Sequence, residues 1–170
     1  MVPRMKLSHV SEGGGEGGRP RMVDVADKPV TARTAVAEGA IRMSSEAFRL
    51  VAEQAVAKGD VLAVSEIAGT LAAKRTAELI PLCHPLGLDY VQVAATLDEA
   101  LPGIRVRAVT KAVGRTGVEM EALTAVSVAL LTAYDMVKAV DRGMEIHGVH
   151  LVEKTGGVRG NWRRGATDDA

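Results

Sequence analysis

One cysteine, one tryptophan, one phenylalanine and two tyrosines are all that this chain of 170 residues holds of those types. A single cysteine excludes an internal disulfide framework, so the fold must be held without covalent staples, and a reducing cytoplasm is the expected compartment. With aromatics at 2%, the core has to be built from Ala, Val, Leu, Ile and Met. Such side chains pack closely but bury little area each, which favours hiding a further face in an oligomer. Net charge is missing as well, because Lys+Arg 21 balance Asp+Glu 21. That balance argues against nucleic acid or an anionic membrane as a general electrostatic partner, and any basic site must be local. No apolar run approaches the ~20 residues of a membrane span, and the N-terminus carries no hydrophobic signal core.

What is present, 47% hydrophobic and 25% charged residues, fits one soluble globular domain. The glycine-rich stretch "SEGGGEGGRPR" and the closing "RRGATDDA" read as tails, giving a tail over 1–21, a domain over 22–162 and a tail over 163–170. Residues 30–43 alternate small apolar and polar side chains and predict a strand, bulged near Gly39. "SSEAFRLVAEQAVAKG" predicts a serine-capped helix running to Gly59, and "DVLAVSEIAGTLAAKRTAELI" a second one capped by Asp60 and ending before Pro81. Two alternating segments around an acidic Pro-Gly turn, residues 88–113, predict a hairpin with Arg105, Arg107 and Lys111 on one face. Those three are either solubilising charges or the lining of an anion site. Residues 119–141 predict a long apolar helix, and about 146–154 a last strand. The order is βαββαβ with an extra helix, an α+β ferredoxin-like sandwich in which helices cover one face of an antiparallel sheet. The composition leads us to expect a second subunit on the other face or its edge.

Three places can carry chemistry. "IPLCHPL" sets Leu82, Cys83 and His84 between Pro81 and Pro85, which favours rigid, extended presentation. In an extended segment Cys83 and His84 point to opposite sides, so they do not form a nucleophile–base pair, and no nearby ligand set completes a structural metal site. The alternative is a loop that merely buries a small apolar residue and a satisfied histidine. Second, Asp135 and Lys138 share a face of the long helix and form either an acid/base pair among apolar neighbours or an ordinary surface ion pair. Third, Glu119 and Glu121 flank Met120 at the start of that helix, where the macrodipole favours carboxylates and where paired acceptors could recognise a guanine-like edge.

The segments "KGDV", "AAKRTAELIPLCHPL", "TGVEMEALTAVSVALLTAYDMVKAV" and "KTGG", in this order over about Met22 to Gly157, resemble the cyclic pyranopterin monophosphate synthase family of molybdenum cofactor biosynthesis. The resemblance implies a lyase that rearranges 3',8-cyclo-7,8-dihydro-GTP to cyclic pyranopterin monophosphate with release of pyrophosphate. It implies a hexamer of three dimers with the site at a dimer interface. It places catalysis on Asp135 and Lys138, and substrate contacts on Leu82, Cys83, His84, Met120 and Glu121, with Glu119, Lys58, Lys74 and Lys154 as further polar positions. Arg115 stands where the family's turn commonly has lysine. No redox cofactor is called for, and Mg²⁺ accompanying the triphosphate is the only ion to consider. A non-catalytic nucleotide sensor on the same fold would not need Asp135 and Lys138, and an RNA-binding module would need aromatic residues on its sheet.

Overall fold

The alternation of residues 30–43 becomes β1 (Thr31–Arg42), the strand around which the rest is arranged. A computed structural model describes residues 20–165, so most of both expected tails lies outside the described residues. After β1 come α1 (Ser45–Ala52), α2 (Val61–Lys74), the single turn α3 (Thr76–Leu79), β2 (Tyr90–Asp98), β3 (Gly103–Gly114), α4 (Glu119–Val137), β4 (Glu145–Thr155) and the two-residue β5 (Trp162–Arg163). The sheet is antiparallel in the order β2-β3-β1-β4-β5. Its first four strands have the ferredoxin-like connectivity expected from the element order.

Both predicted helix caps form. Ser44 Oγ accepts from the Ala47 N–H at 3.3 Å and an Asp60 carboxylate oxygen accepts from the Ala63 N–H at 3.0 Å. Two helices are shorter than their sequences suggest. α1 stops at Ala52 rather than running to Gly59, since Gln54 takes φ +54, outside helical geometry. The next segment breaks at Arg75, whose φ of −113 separates α2 from α3. The irregularity expected near Gly39 is real, but the extra residues sit on β4, whose register against β1 shifts between Val36 and Ala37 and between Glu38 and Ala40.

The side of the sheet facing α4 is small and apolar. Ala35, Ala37 and Ile41 of β1 and Ala122, Ala125, Ala129 and Ala133 of α4 are all fully buried. A Cβ on Gly39 would stand 2.9 Å from side-chain carbons of both Val126 and Val149, and one on Gly69 of α2 would stand 2.8 Å from the Ala125 carbonyl oxygen. Absence of side chains thus sets how near α4 approaches both the sheet and α2. By length and composition α4 is apolar enough to cross a bilayer, contrary to the reading of the sequence, yet it packs as the core helix of this domain.

The opposite sheet face is polar rather than the apolar surface expected from the composition. Arg107 pairs with Glu38, Arg105 with Asp98, and the Lys111 ammonium lies 5.2 Å above the Tyr90 ring. Arg105 and Arg107 are therefore ion-paired surface charges, while Lys111 rests on Tyr90, the one Phe, Tyr or Trp residue that β1 to β4 carry. Val113, at the end of β3, is exposed on that face, and further exposed apolar side chains lie on the helical layer: Val64, Ile67 and Leu71 at helical spacing along α2, and Leu131 on α4.

Gly69→Val is expected to destabilise the protein by about 1–3 kcal/mol, because the added atoms meet backbone of α4 rather than a movable side chain. Urea denaturation checks this, and an unchanged midpoint would show that α2 and α4 can separate without cost.

Candidate active site

Pro81 and Leu82 occupy the middle of a turn closed by the Cys83 N–H on the Ile80 carbonyl at 3.0 Å. Proline suits the second position of such a turn, so the bracket begins folded rather than fully extended. Leu82, Cys83 and His84 all line one cavity of about 320 Å³, and no hydrogen bond joins Cys83 to His84 among the described residues. His84 Nε2 donates to the Val23 carbonyl at 2.7 Å, which ties the segment before β1 to the cavity wall. Burial, followed by the nearby Glu121 carboxylate, pushes the Cys83 thiol above its ordinary value, so it is not set up as a thiolate.

The first turn of α4 forms the facing wall. Glu119, Met120 and Glu121 all line the cavity, and Lys154 of β4 reaches it 3.9 Å from Glu119. Glu121 is only 4% exposed, and its Oε2 is buried without a hydrogen-bond partner. Burial chiefly, with the Glu119 charge adding to it, raises its carboxyl to about 7.

The sequence reading missed the buried cation of the cavity. Arg33 continues the core-facing series of β1 and is 8% exposed; its Nε donates to the Gly114 carbonyl at 2.9 Å, and its Nη2 is buried without a partner. Gly157 packs against this guanidinium where any Cβ would collide with it. A buried arginine without a carboxylate is costly unless a ligand supplies the anion. Lys28, Arg115, Lys154 and Arg159 join it, so five cations face Glu119 and Glu121. The available signal was an arginine at a position where the alternation of β1 calls for an apolar residue.

Not every expected residue arrives here. Lys74 lines a separate cleft of about 130 Å³ that shares His84, Leu86 and Glu121 with the main cavity. Asp135, Lys138 and Lys58 form their own cluster at the far end of α4. The two Asp135 carboxylate oxygens accept from Lys138 Nζ and Lys58 Nζ at 2.7 Å each, and Lys58 also donates to the Asp135 carbonyl at 2.8 Å. Ala133, Met136 and Val137 around them on the helix are buried, but all three charged side chains are themselves about half exposed. The Lys138 hydrogen bond, then that of Lys58, pulls the Asp135 carboxyl down to about 2. Met120 and Asp135 are fifteen residues apart on one uninterrupted helix, about 22 Å at ~1.5 Å per residue.

The sequence pattern of the MoaC family matches residues 22–157. The chain is similar to the cyclic pyranopterin monophosphate synthase of Cereibacter sphaeroides, with 60% identity over 151 residues, 89% of this chain and 95% of the relative. It is also similar to the protein of the same name from Brucella ovis, with 55% identity over 157 residues, 92% of this chain and 93% of the relative.

Glu121 gives stability a definite slope with pH. Its folded-state value of about 7 lies above the ordinary 4.5, so between those limits the folded protein holds a proton that the unfolded chain has lost. Stability therefore falls as pH rises through that window, by up to about 1.4 kcal/mol per unit from this group. Glu121→Gln should gain stability relative to wild type between pH 5 and pH 8 in guanidinium titrations; parallel curves would mean that Glu121 is ionised in the folded state.

Proposed function

The chain belongs to the MoaC family, and from that premise we propose that it acts as a cyclic pyranopterin monophosphate synthase at a site completed by a second copy of itself. The observation that carries the shared site is the length of α4. The cation-rich cavity is at the helix N-terminus and the Asp135 cluster is at the other end, ~22 Å away. One small substrate cannot touch both ends of one helix. Two copies packed through the helical layer with their α4 helices antiparallel set the cavity of each against Asp135, Lys138 and Lys58 of the other. The exposed Val64, Ile67, Leu71 and Leu131 supply apolar surface for such packing.

Each group then has a task. Arg33, fixed by Gly114 and Gly157, holds the phosphates of 3',8-cyclo-7,8-dihydro-GTP together with the other cavity cations. The turn at Leu82 and Cys83 and the carboxyls of Glu119 and Glu121 border the purine-derived ring. Opening that ring, closing the pterin and forming the cyclic phosphate with loss of pyrophosphate all move protons. Glu121, titrating near neutrality, is suited to exchange them. Asp135 is ionised throughout the neutral range, so its task is to position the Lys58 and Lys138 ammonium groups rather than to store a proton. Those lysines stabilise developing negative charge and pass protons to it.

Asp135→Asn and Lys138→Ala should each lower product formation by about 10²- to 10⁴-fold with little change in melting temperature, as both side chains are exposed. Sedimentation of the wild type should give an oligomer, not a 17.8 kDa monomer. Co-expression offers a sharper check. A chain carrying His84→Ala and one carrying Asp135→Asn, each impaired alone, should together recover about a quarter of the wild-type rate, because each mixed dimer rebuilds one intact site. Assembled but inactive mixtures would mean that each copy works alone.

A further inference from the structure

We propose that Arg159, carried on a glycine-shaped clip after β4, is a phosphate-gripping residue at the rim of the substrate cavity and sets the affinity for the substrate's polyphosphate chain. This rests on the substrate reading above but concerns a segment beyond residue 157, where the match to the family ends.

The clip is built rather than loose. Gly156, Gly157, Gly160 and Gly165 all have positive φ, from +66 to +86, and they turn the chain back on β4 within a few residues. Lys154 pairs with Trp162 and Glu153 with Arg163 in the β4–β5 ladder, and the Arg164 N–H donates to the Val152 carbonyl at 2.8 Å. Inside the turn, the Gly160 N–H reaches the Gly157 carbonyl at 3.0 Å and the Asn161 side-chain oxygen accepts from the Gly156 N–H at 3.1 Å. At the clip's base, Gly156 and Gly157 lie against Ala32 and the Arg33 guanidinium. Its anchorage therefore ends at the buried cation of the cavity.

Held in this way, Arg159 lines the cavity. Its neighbour on the clip, Arg163, turns to Glu153 instead at 3.9 Å, so the two arginines have different work. Arg159 makes no ion pair with a carboxylate among the described residues, and neither does Arg115 across the same cavity. Arg33 lies deep and is restrained by its hydrogen bond to Gly114; Arg159 is exposed and keeps its side-chain freedom. A chain of phosphates running out of the cavity meets a fixed guanidinium first and an adjustable one at the rim. An adjustable rim charge contributes binding that substrate and transition state share, so its loss should appear in KM and not in kcat.

Steady-state kinetics and calorimetry test this with Arg159→Gln, Arg159→Lys and, as a control on the same clip, Arg163→Gln. We expect Arg159→Gln to raise KM by about three- to tenfold with kcat within about twofold, and to flatten the dependence of KM on salt. Arg159→Lys should recover part of the loss and Arg163→Gln should behave as wild type. Inorganic tripolyphosphate, titrated into the same proteins without substrate, should bind Arg159→Gln more weakly by a similar factor. If both KM and tripolyphosphate affinity are unchanged in Arg159→Gln, the inference is overturned while the synthase reading stands. A wild type that binds tripolyphosphate through Arg159 but makes no product would overturn the synthase reading and leave the phosphate grip intact. Equal losses in Arg159→Gln and Arg163→Gln would reduce Arg159 to a structural part of the clip.

Discussion

The near approach of α4 to β1 and α2 is the constraint on which the remainder of the molecule depends. Alanines on the helix and glycines beneath it leave no room for adjustment at Gly39 and Gly69. A helix seated so closely behaves as a rigid rod, and a rigid rod fixes whatever is attached to its ends. At one end it carries Glu119, Met120 and Glu121 into a cavity; at the other it presents Asp135 and Lys138 to solvent. The scarcity of aromatic residues is thus connected to function, since bulky side chains in this layer would move both ends together.

The cavity and the lysine cluster use electrostatics in opposite ways. Burial raises the Glu121 carboxyl to about 7, and both its Oε2 and the Arg33 Nη2 are buried without hydrogen-bond partners, a setting whose chemistry suits an anionic, hydrogen-bonding ligand. At the exposed end, Asp135 is already satisfied by two ammonium groups and holds them in place. In a chain without net charge, five cations are gathered at one cavity while Arg105 and Arg107 on the open sheet face are paired with carboxylates.

Much of this was legible in the chain. Strand alternation, the caps at Ser44 and Asp60 and the apolar run of α4 are local signals, and local signals produced the right elements in the right order. What was not legible depended on single backbone angles or distant neighbours. Nothing in "AEQAVAKG" announces that Gln54 leaves helical geometry, and a two-residue strand such as β5 has too little pattern to be seen. The loop at Cys83 was read as extended between its prolines, but it begins in a turn, and both Cys83 and His84 line the cavity. Arg33 and Arg159 are far apart in sequence and meet at one cavity only after β4 has paired with β1, which no spacing rule could anticipate.

The four left-handed glycines of the clip have a consequence for how this protein can change. Their conformations resist any side chain, so the path of the backbone at the cavity rim is written in residues that carry no chemistry of their own. Val158 and Arg159, exposed between them, are bound by no such requirement. Scaffold and reagent are thereby separated: the charge at the rim can be exchanged, moved by one residue or removed over evolutionary time while the loop that carries it keeps its shape.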